Sequence, residues 1–175
     1  MDWDMSVDFI EMRDRFLGDL RKLRGGELTY RRLREICYTV ILLVQLLNGC
    51  RISEAIEGVR KAVNQNKSEV YVRVRRQRDN MRLIVIPSFI DEYLLGLVRL
   101  IIPFVNRDSV RMYCKYRYGI NTHSLRYAFI RYLGEKGYSV QAIASITQHK
   151  NLNYILKYVQ RKAGEDILRE LSATS

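Results

Sequence analysis

Proline, cysteine and histidine are all scarce: the 175 residues include two, three and two of them respectively. With only Pro87 and Pro103, no proline-rich linker divides the chain, and its length suits one domain, since domains run about 100–200 residues. The three cysteines, Cys37, Cys50 and Cys114, show no CxxC or CxH spacing, which excludes a disulfide framework and a zinc site and suits reduced thiols inside a cell. Two histidines are too few for a histidine-built metal centre, so no such metal site is expected; this reading includes no cofactor. Long apolar runs are also missing. The most apolar stretch, "YTVILLVQLLNGC" from Tyr38 to Cys50, falls short of the ~20 residues that cross a bilayer. The start, "MDWDMSVDF", is acidic and lacks the basic segment of a secretory signal. The expectation is a soluble intracellular protein.

What the chain has in excess is positive charge. Thirty Lys and Arg against nineteen Asp and Glu leave +11, with a pI near 9.8, and such a balance points to a polyanionic partner, most often nucleic acid. Hydrophobic residues at 47% exclude disorder, and a chain of this size buries roughly 70% of its unfolded surface.

Periodicity predicts a mostly helical α+β fold, about seven or eight helices around one small antiparallel sheet. An amphipathic helix is expected over residues 6–23, capped by Ser6, with Phe9, Met12, Phe16 and Leu20 as its buried stripe. Gly25 and Gly26 stop it. A second helix, 29–47, is apolar nearly all round in its back half and should be the central one. A short helix then starts in "RISEAIEG" with Ser53 as its cap. In "SEVYVRVRRQRDNMRLIVIP", Val70, Val72 and Val74 alternate with polar residues, the period of a half-buried strand; a hairpin follows, with a possible third strand at 57–63. Helix returns over 89–102. The stretch "NRDSVRMYCKYRYGINTHSLR" reads as partly loop, 124–136 as helix ending before Gly137, then a short helix, and one or two more to the end.

Several polar residues stand in places that call for an anion. Arg51 follows directly on the most apolar helix; Arg126 lies in "HSLRYAFIRYL" three residues after His123; His149 ends the short helix, and Tyr158 stands nine residues beyond it. Guanidinium forks bind non-bridging phosphate oxygens bidentately and stabilise charge in a pentavalent transition state. A tyrosine hydroxyl, pKa about 10 in water, becomes a nucleophile when cations surround it and a base takes its proton. The set suits phosphoryl transfer at DNA.

The order "GCRISE … HSLR … QHKNLNYILKY" resembles the catalytic domain of the tyrosine recombinase (phage-type integrase) family, over nearly the whole chain. The family pattern is an Arg in a G-x-R-x-S-E context, a hairpin Lys, H-x-x-R, a His or Trp in an L-G-H-like segment, and a Tyr about nine residues on. The resemblance implies that Arg51 and Arg126 clamp the scissile phosphate, that His123 and His149 supply hydrogen bonds and proton transfer, and that Tyr158 is the nucleophile, with Tyr154 a packing residue nearby. It implies DNA cleavage and rejoining through a 3′-phosphotyrosyl intermediate, without metal or ATP, on double-stranded DNA, by protomers that associate as dimers or tetramers. Residues 1–175 then correspond to the catalytic domain, with no N-terminal core-binding domain in this chain.

Two departures stand out. Gln148 replaces the glycine of L-G-H, and Gln77 stands where the hairpin lysine is usual, flanked by Arg76 and Arg78. Because arginine is a poor proton donor, the leaving oxygen could be stabilised by Arg76 or Arg78, or by Lys67 reaching in from the hairpin base. Phosphate contacts are expected from the hairpin's Arg73, Arg75 and Arg82, from Arg111, Lys115 and Arg117, whose basic–aromatic interleaving suits backbone contact, and from Lys150. A type IB topoisomerase, or a DNA-binding protein with weakened catalysis, are the alternative readings.

Overall fold

The structure is a computed structural model describing residues 7–74, 77 and 79–174, except for the side chains of residues 154 and 157–163. The fold is α+β: eight α-helices and one two-stranded antiparallel sheet among the described residues.

Helix α1, Phe9–Arg24, starts where the Asp8 carboxylate accepts from the Glu11 N–H at 2.8 Å; Asp8 rather than Ser6 is its cap, and Ser6 lies outside the described residues. Its stripe of Phe9, Met12, Phe16 and Leu20 is buried against α2, Tyr30–Asn48, which Thr29 caps. From Ile36 to Leu46 α2 is buried on every side, because α1, α3, α4 and α6 all pack on it. Its end is dictated by Gly49 at φ 59°. A side chain there would be strained by the left-handed backbone, and its Cβ would lie 2.1 Å from the Phe129 ring. Only glycine lets the chain turn and bring α6 up close.

Helix α3, Ile52–Gln65, runs from that turn. Neither the Ser53 cap nor the third strand at 57–63 exists: Arg51 holds the N-cap position and the helix continues straight through 57–63. Valine and isoleucine there are buried at helical spacing, with Ile56, Val59, Ala62 and Val63 facing the core. Strands β1, Glu69–Arg73, and β2, Met81–Val85, pair with Tyr71 opposite Leu83 and Val72 opposite Arg82. Each strand alternates exposed and buried residues, and Gly58 lets α3 approach Ile84 closely, since a Cβ there would lie 2.8 Å from it.

Helix α4, Glu92–Ile101, capped by Asp91, passes through a 3-10 turn at Ile102–Phe104 into α5, Arg107–Tyr118. The expected part-loop is thus a regular helix, capped by Asn106 and ended by Gly119 at φ 72°. Its buried stripe is narrow, only Val110, Cys114 and Tyr118, which hides the period among arginines and tyrosines. Helix α6 is Thr122–Glu135, α7 is Val140–Thr147, and α8, Asn153–Ala173, is a single helix. Among the described residues no single helix is long and apolar enough to cross a membrane.

Gly49→Ala should cost about 2–4 kcal/mol, combining left-handed strain with overpacking against Phe129; urea denaturation would read it as a lower midpoint at unchanged slope.

Candidate active site

Three helix ends converge. Arg51 precedes α3, His123 and Arg126 lie in the first turns of α6, and Thr147 and His149 close α7. At their centre is Glu54, 1% exposed. It stands at the third position of α3, so its carboxylate folds back: Oε1 accepts from the Arg51 N–H at 3.1 Å and Oε2 faces Arg51 Nη1 at 3.3 Å, as in a capping box. The same Oε1 lies 3.8 Å from Arg82 Nη1 and 4.0 Å from Arg126 Nη1. Among the described residues one carboxylate faces three guanidinium groups, so two positive charges are left over.

Arg126 is 2% exposed. Its Nη1 donates to Gly49 O and its Nη2 to Thr147 O, both at 3.1 Å, so its fork is held by the turn after α2 and the end of α7. Burial, reinforced by the nearby Arg51 charge, lowers its pKa to about 10, which leaves it cationic at neutral pH. Arg51, with its side chain 28% exposed, is the accessible guanidinium of the three.

His149 is governed by Arg126 and Thr147. The Thr147 hydroxyl donates to Ile143 O at 3.0 Å, so its oxygen must accept from His149 Nδ1–H, 2.7 Å away. That tautomer leaves Nε2 as the ring's acceptor, with Arg126 Nη2 3.3 Å from both ring nitrogens. Burial, then the charges of Arg126, Arg51, His123 and Arg82, drive its pKa down to about 3; His149 is a neutral acceptor. His123 meets the Tyr127 ring edge-on at 5.4 Å. Cys50 is buried beside the cluster, and burial raises its thiol to about 12, so it stays a protonated thiol at neutral pH. Among the described residues no group of three His, Cys, Asp or Glu could hold a metal ion.

Two expectations fail on geometry. Arg82 is no surface phosphate contact: it is 3% exposed, donates from Nη2 to Asn48 O at 2.6 Å and supports Glu54 from below. Strand parity with the buried Ile84 and Ile86 carried that signal. Lys67 lies beyond the far end of α3, roughly 20 Å along the axis from Arg51 at 1.5 Å per residue, out of side-chain reach. Arg73 is exposed on β1; Arg111 and Lys115 are exposed on α5, and Lys150 is exposed beside His149. Arg117 is occupied by Asp19, with both carboxylate oxygens within 3.2 Å of its Nη2. Arg75, Arg76 and Arg78 lie outside the described residues. Tyr154 and Tyr158 belong to α8, which packs on α6 and α7, and their side chains lie outside the described residues. Sequence reasoning passed over Thr147 and Asn80; a threonine two residues before a candidate histidine was the available signal for the first.

No family model matches the chain. Among solved structures, the XerH site-specific recombinase bound to a palindromic difH substrate, a post-cleavage complex, superposes with TM-score 0.60 over 93% of this chain at 18% identity. The chain spans about half (51%) of the XerH chain, and the shared architecture is the tyrosine recombinase catalytic-domain fold. Among curated proteins, ORF241 of the Acidianus two-tailed virus, which carries an integrase name, is 34% identical over 97% of this chain and 69% of its own length. The uncharacterized protein MJ0770 of Methanocaldococcus jannaschii is 34% identical over 97% and 88%, and V10 of the Sputnik virophage, also named as an integrase, is 29% identical over 94% and 88%. The chain belongs to the tyrosine recombinase (integrase) family.

Two outcomes follow from the site. Glu54→Gln removes the carboxylate that, among the described residues, faces Arg51, Arg82 and Arg126 together, and should destabilise the fold by about 3–5 kcal/mol in chemical denaturation. His149 stays neutral when folded to about pH 3, whereas in the unfolded chain it takes up a proton near 6.5. The unfolded state therefore binds more protons between those values, and stability falls as pH drops from 6.5 toward 3. His149→Gln should flatten that decline between pH 7 and 5, and the His149 ring resonances should not titrate over the same range.

Proposed function

We propose that this protein is a site-specific DNA recombinase or integrase that cleaves and rejoins strands through a 3′-phosphotyrosyl intermediate on Tyr158. The observation that carries this reading is the Glu54-centred arginine cluster, whose two uncompensated positive charges sit beside a neutral histidine. A scissile phosphodiester supplies the negative charge that such a cluster lacks. Arg51, the more open guanidinium, binds its non-bridging oxygens, and Arg126 reinforces the field from below. The amino ends of α3 and α6 add their partial positive charge.

In the cleavage step the Tyr158 hydroxyl oxygen bonds to phosphorus while the bond to the 5′ oxygen breaks. His123 accepts the tyrosine proton, His149 keeps a neutral ring beside the arginine cluster, and the leaving oxygen is stabilised by Arg76 or Arg78 and takes a proton from water. The 5′ hydroxyl of a partner strand reverses the attack. The phosphodiester energy stays in the phosphotyrosyl bond, so the reaction needs neither metal nor ATP. Double-stranded DNA is the partner, and the +11 charge with exposed Arg73, Arg111, Lys115 and Lys150 supports backbone contact that weakens with salt. Exchange between two sites requires more than one protomer, so self-association on DNA, as a dimer or tetramer, belongs to the reading.

The test is a nicked suicide duplex followed by denaturing gels. Wild type and Tyr154→Phe should form a detergent-stable protein–DNA adduct, Tyr158→Phe none, and Arg51→Ala should form it roughly 10²–10³-fold more slowly, the range for loss of one charge-stabilising donor. An adduct that persists in Tyr158→Phe overturns the assignment of the nucleophile.

A further inference from the structure

The two places where this chain departs from the family pattern, Gln77 in the hairpin and Gln148 before the histidine, are physically joined. Gln148 sits at the end of α7 with φ 59° and ψ 37°, a left-handed conformation that glycine adopts freely and glutamine rarely. Elsewhere the fold ends α2 and α5 with glycines in that conformation. Among the described residues only Asn66 and Gln148 hold a positive φ without being glycine. Asparagine is a common occupant of that region and glutamine is not, so its side chain should offset the strain.

That side chain spans two elements. Gln148 Nε2 donates to Ser145 O at 2.7 Å, within its own helix end. Its Oε1 accepts from Asn80 Nδ2 at 2.8 Å, across 68 residues of chain. The same Asn80 amide nitrogen donates its second hydrogen to Gln77 Oε1 at 2.8 Å. Asn80 also closes the hairpin turn through its backbone, accepting from Val74 N at 2.8 Å and donating to Gln77 O at 3.0 Å. Three amides thus form a chain from the hairpin turn to the residue that precedes His149.

Building on the cleavage reading above, we propose that Gln148 and Asn80 are positioning residues for strand cleavage: their amide bridge holds the hairpin turn, with Gln77, at the edge of the arginine–histidine site. A glycine at 148 satisfies the backbone but cannot reach the hairpin. The glutamine fixes the distance between the element that faces the leaving oxygen and the element that carries His149. The bridge makes a testable distinction between holding the fold and placing the chemistry.

The measurement is adduct formation by the full chain on a nicked suicide duplex, with melting temperature and DNA affinity alongside. Gln148→Gly should melt no lower than wild type, because glycine relieves the left-handed strain, and should bind duplex equally well. Its adduct should form roughly tenfold to hundredfold more slowly, the scale of a small misplacement of reacting groups. Asn80→Ala should slow the reaction as Gln148→Gly does, and the double variant no further, the non-additivity of two ends of one bridge. Full rate in Gln148→Gly, or strictly additive losses, overturns the proposal, as does a loss explained wholly by a lower melting temperature. If the wild type forms no adduct, the cleavage reading is what fails. Amide exchange at Val74 and Asn80 then decides the bridge: faster exchange in Gln148→Gly supports it, and unchanged protection overturns it.

Discussion

A single buried carboxylate organises this molecule. Glu54, 1% exposed, faces Arg51, Arg82 and Arg126 from α3, β2 and α6. A carboxylate so buried is tolerable only with partners close by, and guanidinium groups so buried are tolerable only around an anion. The packing of α3 on the hairpin and of both on α6 therefore serves electrostatics as well as core burial. Among the described residues three cations surround this one anion, so the cluster keeps a net positive charge. Arg82 Nη1, buried and without a hydrogen-bond partner among the described residues, is part of the same deficit.

Around that centre the fold supplies fixed dipoles in place of water. The Arg126 fork is set by two carbonyls, Gly49 O and Thr147 O, which belong to turns rather than to regular helix. Those turns exist because Gly49 and Gln148 both take the left-handed conformation. The backbone geometry at two helix ends thus decides where a guanidinium points, and the hydroxyl of Thr147 decides which nitrogen of His149 is bare. A neutral histidine in a cationic site costs less than a charged one, which is why burial and Arg126 together drive its pKa down.

Much of the fold was legible from local pattern. The α1 stripe, the all-round apolar α2 and the alternating hairpin follow from spacing alone, and the four site boxes stand in order along the chain. What was misread has identifiable causes. The α5 segment buries one residue per turn, Val110, Cys114 and Tyr118, too narrow a stripe to stand out among its arginines and tyrosines. Residues 57–63 satisfy both strand and helix patterns over so short a window, and the capping interaction at Arg51 settles it for helix. Arg82 looked like one more cation in a basic hairpin, although the alternation with Ile84 put it on the inner face.

The sequence by itself determined most of the element types, 57–63 and α5 excepted, together with the excess of cation and the candidate residues for phosphate chemistry, because periodicity, capping and charge are local properties that a linear chain displays. Only the tertiary structure decided which arginine serves which end. Arg51 opens outward, Arg126 is buried, Arg82 lies beneath Glu54, and Lys67 is at the wrong end of α3. The bridge from Asn80 to Gln148 spans 68 residues and has no sequence signature. Contacts of that kind depend on the packing of helices and strands distant in the chain, and a hydrogen bond between two amides leaves no trace until the fold has brought them within 3 Å.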